Sequence, residues 1–161
     1  GQWKEWNHNQ SLDWHLTLSP MHDGLRRLVQ HLNWLYANEP AFYELDDSYE
    51  GFEWIDFNDA DNIVWSFVRK GREQTIVLIV NATPIPRGGY RVGVRAPGFY
   101  EEILNTDAAT YGGSNLGNWG GRYAEHWGWQ EKPYSIVIDL PPLSVSAFKL
   151  VPPAAQTPTE L

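Results

Sequence analysis

The sequence predicts a mainly β protein, an antiparallel β-sandwich preceded by an aromatic loop and one amphipathic helix. Three observations carry this reading. Seven short β-rich runs follow Pro40, each bounded by turn residues. One stretch of helical period, residues 23–38, stands before them. Three of the nine tryptophans, Trp3, Trp6 and Trp14, fall in an opening segment with no hydrophobic period of its own.

In that opening segment charged and amide residues separate the indoles, so neither a 3.6-residue stripe nor strict alternation fits. An indole favours water-excluding surroundings and a partner for its N–H. The segment therefore suits a loop laid across something else: the rest of this chain, another domain, or a sugar. The chain opens without a Met inside this tract, and a piece of a longer protein is the expectation.

The helix is read from Leu25, Leu28, Val29, Leu32, Leu35 and Tyr36, which recur at three- and four-residue steps and predict one buried stripe. Ser19-Pro20 or Asp23 opens it, and Glu39-Pro40 closes it, because the residue before a proline disfavours helical angles. Arg26, Arg27, Gln30 and Asn33 fall on the solvated side. Trp34 borders the stripe and is open to either environment.

Beyond Pro40 the predicted strands are residues 52–57, 63–68, 75–80, 90–94, 99–104, 135–140 and 145–150. Turn residues punctuate them: 58–62, Lys70-Gly71, 87–89, 96–98 and Pro141-Pro142. Short strands at this spacing with no second helix predict a sandwich. Trp65, central in an apolar run, is read as core. Trp54, flanked by Glu53 and Asp56, is open to burial or exposure. Alternation places Phe52, Trp54 and Asp56 on one face of their strand. Residues 112–121, rich in glycine, read as a long irregular connection. Residues 152–161, rich in Pro, Ala and Thr, predict a disordered tail.

The formal net charge of −8, with scattered basic residues, argues against nucleic acid. The absence of cysteine excludes disulfides and thiolate metal sites and is compatible with a reducing cytoplasm. No apolar run reaches the ~18–20 residues needed to cross a bilayer. The five histidines lack metal-ligand spacing, and Asp56, Asn58, Asp59 and Asp61 lack the glycine and distal glutamate of a calcium loop, so a polar hairpin turn explains them. No nucleophile elbow or phosphate loop is present. Glu5 and Asp13, beside tryptophans, read as structural hydrogen-bonding groups rather than a glycosidase pair. No catalytic residue, cofactor or metal is expected from the residues themselves. What remains is an array of indoles interleaved with amides and carboxylates, a combination that suits sugars.

Several segments then agree on one family. They are Glu5-Trp6-Asn7-His8, Leu12-Asp13-Trp14-His15-Leu16, Leu28-Val29 through Leu35-Tyr36, and Gly51-Phe52-Glu53-Trp54. Asn81-Ala82-Thr83-Pro84-Ile85-Pro86-Arg87, Tyr90-Arg91-Val92-Gly93 and Glu102-Ile103-Leu104-Asn105-Thr106-Asp107 follow. Tyr111-Gly112-Gly113-Ser114-Asn115 and Leu140-Pro141-Pro142-Leu143 complete the set. In this order they resemble the C-terminal end of glycogen (1,4-alpha-glucan) branching enzymes of the alpha-amylase superfamily, glycoside hydrolase family 13, over residues 1–150.

The resemblance implies a layout. Residues 1–39 would end a (β/α)8 barrel as the loop after strand eight, on the active-site face, and helix eight. Residues 40–151 would form the C-terminal all-β sandwich. It also implies a transferase activity in the parent enzyme, in which cleaved α-1,4-glucan segments become α-1,6 branches of glycogen. The family works through a covalent glycosyl-aspartate, a glutamate acid/base and a second, stabilising aspartate. Those carboxylates lie on earlier barrel strands and have no matching position here, so the isolated chain is expected to be inactive. The implied glucan-binding residues are Trp54, at a position linked to glucan contact in some members, with Trp6 and Trp14. Met21 stands where some relatives carry a Trp before the helix. The implied partners are α-glucan (glycogen, amylose) and the catalytic barrel, with no nucleic acid and no membrane, in the cytoplasm. Two other readings stay open: a stand-alone carbohydrate-binding module, and a purely structural brace.

Overall fold

The computed structural model describes residues 2–152. The tail expected to be disordered lies outside the described residues except for Pro152.

Among the described residues eight strands form: β1 (Phe52–Asp59), β2 (Val64–Lys70), β3 (Thr75–Asn81), β4 (Arg87–Val94), β5 (Phe99–Asn105), β6 (Gly121–Tyr123), β7 (Tyr134–Leu140) and β8 (Ser144–Val151). Each predicted run is a strand, and β6 is the addition. Six strands make one sheet in the order β1-β2-β3-β8-β5-β6, and β4 pairs β7 in a second. Every pairing is antiparallel. The alternating apolar residues of the two sheets meet between them. Val64, Val68, Val77, Ile79 and Phe148 of the large sheet pack with Val92, Val94, Ile136, Ile138 and Leu140 of the small one.

The glycine-rich connection between β5 and β6 is irregular, as its composition predicts, and is pinned by one buried amide. The Asn118 side chain donates to Glu102 Oε1 at 2.8 Å and to the Asp139 carbonyl at 3.1 Å, and it accepts from the Asp139 N–H at 2.8 Å. With its donor and acceptor satisfied, this fully buried side chain joins β5 to β7 through hydrogen bonds that offset the loss of its hydration.

Helix α1 (Pro20–Asn38) starts after the extended Ser19, with Pro20 in its first turn, and ends at the extended Glu39. It lies on the outer face of the large sheet, where Leu35 and Leu28 pack with Ile76, Leu104 and Ala147. Gly24 is buried against Tyr111, and a Cβ at Gly24 would sit 2.3 Å from the Tyr111 carbonyl oxygen. Two turns further on, His31 Nδ1 and the Tyr111 hydroxyl share a 2.5 Å hydrogen bond.

The single buried stripe expected of this helix is corrected. The positions 24, 28, 31 and 35 meet the sandwich. Leu25, Val29, Leu32 and Tyr36, about 100° further round, remain exposed. The sheet reaches only one side of an apolar surface that spans two.

Trp65 is corrected as well: its residue is 40% exposed. Val64, Ser66 and Val68 take the core side of β2, leaving Trp65 on the outer face. An apolar strand is buried on both faces only where something covers the outer one, and the helix contacts instead reach Ile76, Leu104 and Ala147.

Candidate functional site

Strand β1 departs from simple alternation after Trp54. Trp54 faces Phe67 across the ladder, but Asp56 faces Ser66, which makes Ile55 the extra residue of a β-bulge. Ile55 packs against the inter-sheet core, and Asp56 is carried to the same side, opposite the core-facing Ser66. Phe57 then returns to the outer face beside Trp54.

The expectation that Asp56 shares a face with Trp54 is therefore overturned by the bulge. Trp54 has aromatic neighbours instead: Phe52 edge-on at 5.0 Å, Phe67 at 5.7 Å and Phe57 at 5.6 Å between ring centroids. Phe52 stacks on Phe67 at 5.3 Å. Trp54 is 47% exposed, and Phe52 and Phe57 are exposed too. The four rings form a braced patch that holds the indole with one side free. Sequence reasoning missed Phe57 and Phe67. The available signal was the mixture of polar and apolar residues in both alternate sets of residues 52–57, which marks an interrupted strand.

Glu53 points the other way and is fully engaged. Its carboxylate accepts from Lys132 at 2.8 Å and Arg95 at 2.6 Å, and it also pairs with Lys70. Burial opposes its charge, but hydrogen bonds from Lys132, Lys70 and Arg95 outweigh this and hold the carboxyl down to about 2. Glu53 thus ties β1 to Lys70 of β2, to Arg95 just after β4 and to Lys132 shortly before β7.

Trp6 and Trp14 stand apart from Trp54. Trp6 is exposed, with His8 tilted beside it at 6.3 Å. Trp14 opens a short 3-10 turn, Trp14–Leu18, and lines a shallow groove of about 320 Å3 with Leu12, Leu25 and Val29. The opening loop thus meets the uncovered side of α1. Gln2 Oε1 accepts from the Asp13 N–H at 3.2 Å, whereas the carboxylates of Glu5 and Asp13 bond to no described residue, against the structural role expected of them.

Residues 54–151 match the family described as Alpha amylase, C-terminal all-beta domain. The chain belongs to that family. Beyond this alpha-amylase C-terminal domain, the similarity extends through the helix and the opening loop. The chain is 49% identical over 152 residues to the 1,4-alpha-glucan branching enzyme GlgB of Synechocystis sp., covering 93% of this chain and 20% of that protein. It is 49% identical over 151 residues to the enzyme of the same name from Aquifex aeolicus, covering 92% and 24%, and 46% identical over 150 residues to that of Saccharophagus degradans, covering 92% and 21%. The chain spans between a fifth and a quarter of the length of these relatives.

Proposed function

We propose that this chain is the C-terminal part of a 1,4-alpha-glucan branching enzyme, and that it holds α-glucan on the outer face of β1 and β2 while its helix seats the catalytic barrel. The observation that carries the glucan reading is the free face of Trp54, braced by Phe52, Phe57 and Phe67. A rigid exposed indole offers a flat apolar surface to the C–H face of a glucose ring at little entropic cost. The bulge turns Asp56 away from this patch, and the one cation opposite Phe52, Arg69, is already paired with Asp46, which suits a neutral ligand. The relatives carry the name of the branching activity, and the transfer chemistry belongs to the parent enzyme in the cytoplasm, on carboxylates that precede this chain.

The barrel reading rests on α1. Its sheet-facing side is already covered, and Leu25, Val29, Leu32 and Tyr36 form a second apolar line beside Trp14. Residues 1–39 are proposed to complete the barrel, and residues 40–151 to form the domain that braces it. Trp14 and Trp6 extend the same surface towards the substrate.

Trp54→Ala in the parent enzyme tests the glucan surface. Affinity electrophoresis in glycogen should show weakening by about 1–3 kcal/mol, the magnitude of ring stacking on another flat ligand. The melting temperature should fall only slightly, because the indole is half exposed. Unchanged glycogen affinity with a strongly lowered melting temperature would defeat the reading.

A further inference from the structure

We infer that the domain carries a second α-glucan subsite on the opposite side of β1, a polar groove closed by Trp129. The inference rests on the glucan reading of the domain but uses a different set of residues.

The groove encloses about 740 Å3 between the β1–β2 turn, the start of β4 and the Trp129-Gln130 turn. That volume lies within the range of sites for small ligands. Trp129 is 47% exposed and lines one wall. Asp56, Asp59, Arg87 and Tyr90 line the remainder.

The polar groups are held in place by one another. The Tyr90 hydroxyl donates to Asp59 Oδ2 at 2.7 Å, and Asn62 Nδ2 donates to both Asp59 oxygens at 2.8 and 2.9 Å. Gln130 Nε2 donates to Asp56 Oδ2 at 2.9 Å. Burial opposes the charge on Asp59, but the bonds from Tyr90 and Asn62 outweigh it and keep the carboxyl below its ordinary range. Arg87 donates to the Asn62 carbonyl at 2.8 Å, while its buried Nε has no partner. A buried donor left unmatched is uncommon, because it forfeits its hydration.

The placement of Trp129 is built into the backbone. Trp129 and Lys132 exchange both backbone hydrogen bonds across a two-residue turn, with Gln130 at φ +49° and Glu131 at φ +60°. Two successive non-glycine residues in left-handed geometry hold backbone strain, which persists only where the surroundings fix them. Gly93 of β4 gives this turn room: a Cβ there would lie 2.1 Å from the Trp129 carbonyl oxygen. Its N–H donates to Gln130 Oε1 at 2.9 Å. The strained turn and the close approach together fix an indole beside preset polar groups.

The chemistry selects the ligand class. The groove lining holds two carboxylates, Asp56 and Asp59, and two guanidiniums, Arg87 and Arg91, so it has no charge bias towards phosphate or an acidic ligand. The oxygens of Asp56 and Asp59 already accept from N–H or O–H donors, which is unlike a cation cage. A flat ring with rigid planar amides and carboxylates matches a neutral polyhydroxylated chain. The bulge at Ile55 lets one strand present two such surfaces, Trp54 outward and Asp56 towards the groove.

Maltoheptaose, a linear α-1,4-glucan, is the probe. The whole chain, labelled with fluorotryptophan and assigned by single Trp→Phe variants, is titrated and followed by fluorine NMR. Saturable shifts at Trp129 that persist in Trp54→Ala are expected. Trp129→Ala should then weaken the residual binding about tenfold or more. Asp59→Asn, which keeps the shape, should weaken it while Trp129 stays ordered. Inorganic phosphate should leave Trp129 unmoved, and a saturable phosphate shift there would overturn the assignment of ligand class. If maltoheptaose shifts Trp54 and not Trp129, the groove proposal fails and the outer patch stands. If it shifts Trp129 alone, the groove stands without the patch. Silence at both positions rejects both.

Discussion

Lys149 Nζ donates to Glu39 Oε1 at 2.8 Å, joining the residue that ends α1 to the outer face of β8. The Glu39 side chain is nearly buried, and Gln74 Nε2 also reaches it, at 2.5 Å. This pair holds the C-terminal end of the helix on the sheet, as Tyr111 holds its start through Gly24 and its middle through His31.

Removing one partner leaves a buried carboxylate short of its cation. Lys149→Met should therefore cost about 3 kcal/mol in urea unfolding, near the lower end for breaking a buried pair. Glu39→Gln together with Lys149→Met should cost clearly less than the sum of the two single changes. Strict additivity would show that the two residues do not act as a pair.

Gly24→Ala reverses the usual rule for helices. In an open helix that change stabilises by about 1 kcal/mol. Here the methyl would meet the Tyr111 carbonyl oxygen at 2.3 Å, a backbone atom that no rotamer change can move aside. The helix must shift, with a loss of about 1–3 kcal/mol. The His31–Tyr111 hydrogen bond should weaken with it, seen as a change in the His31 ring resonances. A variant more stable than the parent chain would contradict this contact.

Glu53 gives the stability a defined acid limb. Its folded carboxyl is held at about 2 against an ordinary value of 4.5. A depressed folded value contributes stability that is fully present above about pH 4.5 and is lost as the pH falls towards 2. The contribution is about 1–3 kcal/mol once solvent screening at the exposed Arg95 end is allowed for. Glu53→Gln should lower stability at neutral pH by that amount, and the gap to the parent chain should close between pH 4.5 and 2. A gap independent of pH would assign the loss to packing rather than charge.

The strand series was legible because seven β-rich runs are each fenced by turn residues, and the helix because its apolar steps are regular. Strand β6 was not, since three residues after Gly120 carry no alternation. The division of the helical stripe between sheet and open surface depends on how far the sheet extends, which no periodicity encodes. The same holds for Trp65, whose outer face is left partly uncovered. The bulge at Ile55 decided the surroundings of Trp54, and a template of strict alternation misplaces Asp56 and Phe57, until a second register shift before Asp59 restores the phase. The groove at Trp129 gathers residues 56–62 from the end of β1 and its turn, 87–91 from the start of β4 and 129–130 from the turn before β7, so only the folded chain brings them together.

The open side of α1 supplies the last test. Leu25, Val29, Leu32 and Tyr36 lie in a line, each about half exposed and met by the opening loop only beside Leu25 and Val29, and a contiguous patch of this kind drives association. The isolated chain should self-associate with rising concentration in sedimentation velocity. Val29→Glu with Leu32→Glu should suppress this, and each change should alter the stability of the isolated domain by no more than about 0.5 kcal/mol, because both side chains are substantially exposed. In the parent enzyme the same pair would place two carboxylates in the proposed barrel contact and should destabilise it by several kcal/mol. Two opposite responses from one double variant separate a face that serves the barrel from one that is merely apolar. Equal tolerance in the isolated chain and the parent would remove α1 from the barrel interface.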